Sequence, residues 1–182
     1  YVQGIVVFGY EGNNVGTLED LTFTNNTIEN VSTDGDTAWG MQIKGNITGI
    51  SLQDNVVRNI ESPNWWHAGV QLTTKFAANG PRNVTITKNT IQNAGIGVDL
   101  AGNTSGKSVS IYNNNIVNHS ESGLANNVAG EVNATSNWWG ATSGPNNTDN
   151  TFIAPGESER GANVSDNVEF TPWLNDSTDD GG

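Results

Sequence analysis

The ten residues VTITKNTIQN (84–93) carry the pattern from which the rest of the chain can be read. Val84, Ile86 and Ile91 fall on one side of an extended segment and Thr85 and Thr87 on the other, the period-two alternation of a half-buried strand. Four further segments align with it without gaps: LTFTNNTIEN (21–30), ISLQDNVVRN (50–59), VSIYNNNIVN (109–118) and VNATSNWWGA (132–141). They share apolar-x-apolar-x-x-Asn-x-apolar-x-Asn, the fifth copy departing at Ala134 and at its end. The sixth position is asparagine every time, at Asn26, Asn55, Asn89, Asn114 and Asn137, with spacings of 29, 34, 25 and 23 residues. Asparagine makes up 28 of 182 residues, too few for five of five at one register to arise by chance.

Between these copies runs a second, glycine-led strand: GIVV (4–7), GMQI (40–43), GVQL (69–72), GVDL (97–100) and, more weakly, GLAN (123–126). Each repeat is thus expected to hold two short strands separated by a bend. One repeat cannot bury its apolar side alone, whereas stacked repeats can, which predicts a solenoid. The asparagine column is expected at the bend, because Asn tolerates left-handed backbone geometry and its amide can bond nearby backbone. Coils ~4.8 Å apart would also let identical amides bond one another in a ladder.

Composition agrees. Val and Ile number 28 against seven Leu, and there are 22 Gly, a mix that favours strands and tight bends over helices. Val, Ile, Leu and Phe total 40 residues, enough for one narrow core. A net charge of −12 with seven Lys and Arg argues against a nucleic-acid partner. No apolar run approaches the ~20 residues of a transmembrane helix. Without cysteine there is neither a disulfide framework nor a thiolate metal site.

The repeats resemble those of right-handed parallel β-helix proteins, the pectin-lyase-like superfamily, including NosD-like and archaeal surface β-helix proteins. The ending NWWG (137–140), SGP (143–145) and NVEFTPWL (167–174) resembles the Asn-Trp-Trp-Gly … Gly-Pro … Phe-x-Pro-Trp-Leu close of many secreted β-helix domains. The resemblance implies about five to six coils over residues 1–174, the first incomplete. It also implies a C-terminal cap of Trp138, Trp139, Phe170, Trp173 and Leu174 over the open end of the core. The alternative for Trp138 and Trp139 is a ligand platform. Gly4–Val7 matches the second strand of a coil, so either upstream coils precede it or the first coil receives a neighbouring subunit. Residues 175–182, NDSTDDGG, are expected to form an acidic, Gly-rich tail or linker.

Candidate sites lie where the repeat is interrupted. STDGDTAW (32–39) offers Asp34 and Asp36 as oxygen donors for Ca²⁺ or simply makes a turn, and no other cofactor is expected. ESPNWWHAG (61–69) places Trp65, Trp66 and His67 together, either stacking on sugar rings or folding back over the coil. TTKFAANGPRN (73–83) adds Lys75, Phe76 and Arg82, and the two loops could form a locally basic cleft suited to an acidic polysaccharide. The two histidines, His67 and His119, are far apart in sequence, so no histidine metal site is expected.

Relatives of this resemblance often cleave acidic polysaccharides with clustered carboxylates or a Ca²⁺/Arg pair. Here Asp99 faces Gln71 on one side and Asn126 on the other, so no carboxylate partner shares its register and it is expected as an outward surface residue. No catalytic residue is therefore assigned, and the chain is not read as an enzyme. Asn-x-Ser/Thr sequons occur at Asn25, Asn30, Asn46, Asn83, Asn103, Asn118, Asn133, Asn146, Asn163 and Asn175. Composition alone would give roughly five, so ten points to an extracellular, N-glycosylated protein. The leading expectation is a structural cell-surface solenoid that assembles with copies of itself or other surface-layer components. The other is a polysaccharide-binding or polysaccharide-cleaving module.

Overall fold

Strands with alternating apolar residues bury one face only, and in this chain they find their partners one repeat away. The structure, a computed structural model, describes residues 2–9, 18–63, 66–74, 79–102, 109–128 and 130–177. It begins with β1 (Val2–Gly9), β2 (Leu18–Thr24), β3 (Thr27–Ser32), β4 (Thr37–Gly45), β5 (Ile47–Gln53) and β6 (Val56–Glu61). The chain continues through β7 (Trp66–Thr73), β8 (Arg82–Thr87), β9 (Thr90–Gln92), β10 (Ile96–Ala101), β11 (Val109–Tyr112) and β12 (Asn115–Val117). The last strands are β13 (Ser122–Asn127), β14 (Val132–Asn133) and β15 (Val168–Glu169). They form three parallel sheets, ordered β1-β4-β7-β10-β13, β2-β5-β8-β11-β14-β15 and β3-β6-β9-β12. The chain visits the sheets in turn and returns to the first, an all-β arrangement compatible with a β-solenoid.

The sequence pattern implied two strands per repeat, and there are three. The ten-residue motif does not stay straight: its first half lies in the second sheet, and its second half lies in the third. The corner explains why. The residue before each ladder asparagine takes a left-handed φ, at Asn25, Asp54, Lys88, Asn113 and Ser136, all between 53° and 57°. The ladder asparagine itself does not. Left-handed geometry is thus assigned to a position of mixed identity, and the sixth position is asparagine for its amide alone. A second left-handed corner closes the motif at Asn30, Asn59, Asn93 and Asn118, with φ of 56°, 57°, 55° and 60°.

The amides form one continuous chain. Asn55 Oδ1 accepts Asn26 Nδ2 at 2.9 Å and Asn89 Oδ1 accepts Asn55 Nδ2 at 2.9 Å. Asn114 Oδ1 accepts Asn89 Nδ2 at 3.0 Å and Asn137 Oδ1 accepts Asn114 Nδ2 at 2.9 Å. Each of these oxygens also accepts the backbone N–H of the preceding asparagine. The second amide hydrogen reaches a strand carbonyl, from Asn89 to Leu52 and from Asn114 to Ile86, both at 2.9 Å. Asn55, Asn89, Asn114 and Asn137 are at most 2% exposed, so this mutual pairing removes a desolvation cost of ~1–3 kcal/mol per group.

Apolar columns fill the interior. Ile5, Met41, Val70, Val98 and Leu124 pair in register along the first sheet, Phe23, Leu52, Ile86 and Ile111 along the second, and Ile28, Val57, Ile91 and Ile116 along the third. Each fully buried Ile or Leu contributes ~1.5–3 kcal/mol. Glycine leads the first-sheet strands because the third sheet crowds it: a Cβ on Gly40 would lie 2.6 Å from the Gly69 carbonyl oxygen and against Val57 Cγ1.

β1, β2 and β3 sit at one end of their sheets, and Val6, Phe8 and Leu18 there are 48%, 39% and 40% exposed. Toward the other end Trp139 is buried, Phe170 is nearly so, and Trp173 packs beside Phe170 with its Nε1 donating to the Thr142 carbonyl at 3.1 Å. Trp138 bridges to Asn115 and is half-buried. Glu157 ties the intervening loop, accepting from the Thr142 hydroxyl at 2.7 Å, the Ser143 hydroxyl, and both backbone N–H groups. Those bonds, from Ser143 first and Thr142 second, hold its carboxyl down to about 2.

Two outcomes are expected. Asn89→Ala strands the Leu52 carbonyl and the Asn55 amide in the core and lowers stability in urea melts by about 3 kcal/mol. Asn59→Gly, at a half-buried left-handed corner whose amide bonds Asn30 and Asn93 at the surface, stays within about 1 kcal/mol; equal losses at both sites would refute the buried ladder's role. Because the folded Glu157 carboxyl titrates below its ordinary 4.5, its stabilisation is complete above that value and is lost as pH falls through about 2. Thermal melts of Glu157→Gln should therefore lie below wild type at neutral pH and converge with it on acidification.

Candidate functional site

Residues that alternate with the first-sheet core column point away from it. Met41, Ile43, Val70 and Leu72 are core residues, and Gln42, Lys44, Gln71 and Thr73 lie between them on the opposite face. There they line a groove of about 750 Å³, with Trp39 and Trp66 among its walls and Asp36, Thr37, Thr74 and Ala101 completing it. Trp66 is 52% exposed, whereas Trp39 is nearly buried.

The groove floor is a second amide ladder. Gln3 Nε2 donates to Gln42 Oε1, Gln42 Nε2 to Gln71 Oε1 at 2.5 Å, and Gln71 Nε2 to Asp99 Oδ2 at 2.7 Å. Lys44 Nζ also donates to Gln42 Oε1, at 2.9 Å, and lies 5.5 Å from the Phe8 ring centroid. The ladder ends on a carboxylate.

Asp99 is therefore not the outward surface residue that the sequence suggested. It is 2% exposed, held between the side chains of Gln71 and Asn127 on the neighbouring strands. Its in-register neighbours are Gln71 and Ala125, not Asn126, and Asn127 Nδ2 reaches its other oxygen at 3.3 Å. Burial pushes the carboxyl above its ordinary 3.8, and the hydrogen bonds from Gln71 and Asn127 oppose that shift. Asp99 and Glu121 border one smaller hollow of about 350 Å³ beside Trp66, so a second carboxylate does share its surroundings, from the bend that precedes β13.

Of the residues singled out from sequence, Trp66 lines the groove. His67 pairs with Ala38 in the sheet, packs against Gly95 and is absent from the groove lining. Trp65, Lys75 and Phe76 lie outside the described residues, as does Asn103. Asp34 and Asp36 sit at a turn in which Gly35 N–H donates to Thr33 Oγ1 at 3.0 Å, and Asp36 borders the groove. Among the described residues no group of three or more His, Asp or Glu side chains gathers as a metal set. His119 is half-buried, its Nε2 3.2 Å from the Ile91 carbonyl, and desolvation of the ring drives its pKa down to about 4, so it is neutral at pH 7. Arg82 is engaged with Asn46 Oδ1 at 2.5 Å.

Sequence reasoning missed Trp39, Gln42 and Lys44. A signal was present: GMQI, GVQL and GVDL carry Gln42, Gln71 and Asp99 at one offset. Thr87, expected on the exposed side, is buried as well. Eight sequon asparagines are exposed: Asn25, Asn30, Asn83, Asn118, Asn133, Asn146, Asn163 and Asn175. Asn46 is half-buried. Asn146 Nδ2 donates to Asn163 Oδ1 at 2.7 Å, and Asn163 Nδ2 to the Glu121 carbonyl at 2.8 Å. Among the described residues no helix is long and apolar enough to cross a membrane.

No family model, no curated protein and no solved structure matches the chain.

Asp99 supplies a pH test of the groove floor. Its folded carboxyl holds a proton more tightly than the unfolded chain does, so Asp99 detracts from stability as pH rises above 3.8 and through the raised value. Asp99→Asn should gain in melting temperature over wild type between about pH 3 and pH 7. A difference independent of pH would contradict the burial of this carboxyl.

Proposed function

We propose that this chain is an extracellular surface protein that binds polysaccharide along the outer face of its first sheet. The groove walled by Trp39 and Trp66 and floored by Gln42 and Gln71 is the observation that carries this reading. Sugar rings present apolar C–H faces that stack on aromatics and hydroxyls that pair with amides, and binding grooves combine such apolar walls with a few placed polar groups. Its lining comes from β4, β7 and β10, neighbouring strands of one sheet, so successive sugar units have successive rungs to meet.

The finer architecture belongs to the same proposal. The three parallel sheets support a right-handed parallel β-helix of the pectin-lyase-like kind, with five to six coils over residues 1–174. Burial of Trp139 and Phe170 beside Trp173 supports an aromatic cap. Exposure of eight sequon asparagines supports N-glycosylation, with Asn30, Asn118, Asn133 and Asn175 as sites open to solvent.

A second reading is a structural solenoid that assembles with copies of itself. It is favoured by the exposed Val6, Phe8 and Leu18 on β1 and β2, which are end strands of their sheets among the described residues, since apolar edge strands invite pairing.

Affinity electrophoresis through gels cast with plant or microbial polysaccharides separates the two. Retardation of wild type, reduced about tenfold or more in affinity by Trp66→Ala, supports glycan binding. Free migration in every gel, with sedimentation showing ordered oligomers, would transfer the case to the assembly reading.

A further inference from the structure

Resting on the groove as a glycan site, the next question is which glycans it takes. We infer that the groove selects uncharged sugar chains and turns away polyuronates.

The charges decide this. Among the described lining residues Lys44 is the one cation, and its ammonium is held by Gln42 Oε1 at 2.9 Å and by the Phe8 ring. Asp36 also lines the groove, and Asp99 accepts from Gln71 at the end of the amide ladder. Arg82 is committed to Asn46 and Arg58 to Glu29, at 2.5 Å and 2.6 Å. The whole chain carries −12. A uronate chain brings one carboxylate per ring, and entering a walled groove strips water from each. That cost is offset only by a cation or several donors at each position. Here the incoming carboxylates would meet Asp36 and one engaged lysine among the described lining residues, on a chain whose net charge is already negative.

The polar floor fits hydroxyls instead. Gln42 Oε1 is filled by Gln3 and Lys44, and Gln71 Oε1 by Gln42. Each of these two amides spends one Nε2 hydrogen along the ladder and retains the other. Neutral N–H donors next to Trp faces match hydroxyl and ring oxygens flanked by C–H surface. The class assigned is a linear chain of neutral hexose or pentose units.

Isothermal titration of the full chain with xylohexaose, cellohexaose and mannohexaose on one side, and hexagalacturonate on the other, tests this at low ionic strength. At least one neutral hexamer should bind about tenfold or more tightly than hexagalacturonate, and Trp66→Ala should abolish that binding. Equal or tighter binding of hexagalacturonate overturns the selectivity while leaving the groove a glycan site. Failure of the wild type to bind any of the four removes both the selectivity and the site beneath it.

Discussion

The asparagine amides sit inside this protein because each is bonded to the asparagine of the next coil and to nearby strand carbonyls. Asn55, Asn89, Asn114 and Asn137 each lie in the dry interior with oxygen and both amide hydrogens committed, and no single repeat could satisfy them. The requirement locks register: a one-residue slip would bury a neighbour's side chain where the amide must be and leave donors orphaned. Apolar columns tolerate exchange among Ile, Val and Leu, so they hold the coils together without defining their alignment. The ladder supplies that alignment.

Once the rungs are aligned, the outer faces align too. Gln42, Gln71 and Asp99 come from segments 28 and 29 residues apart, yet they form a second amide chain because their strands are held in register from behind. Interior order thus becomes exterior pattern. The groove inherits a regular floor from the ladder inside, and its walls come from the first residues of β4 and β7, Trp39 and Trp66, and from Asp36 at the turn before β4. A rigid floor with variable walls is how a repetitive fold acquires a specific surface.

The two ladders differ in one instructive way. The inner one terminates on Asn137, whose amide turns to the Ile111 and Ala134 carbonyls at 2.7 Å. The outer one terminates on Asp99, a carboxyl kept above its normal range by burial. An amide at that position would have continued the series, so the acid is a departure from the repeat at the edge of the groove.

The repeat register, the parallel stacking and the asparagine column were legible in the chain, because period-two alternation and an invariant amide report local geometry and nearest-rung contacts. The third strand of each coil was not, because a left-handed residue such as Lys88 or Asp54 carries no compositional mark that distinguishes it from its neighbours. Nor was the burial of Asp99, since the Gln71 and Asn127 side chains that cover it come from strands remote in sequence. Trp66 was visible as an aromatic on an insertion, but its partnership with Trp39 and Gln42 exists only where separate strands face the same space. Local pattern determines which residues repeat and which way they point along a strand. Which of them meet across the surface is decided by the stacking of whole coils, a long-range packing event that no window of sequence contains.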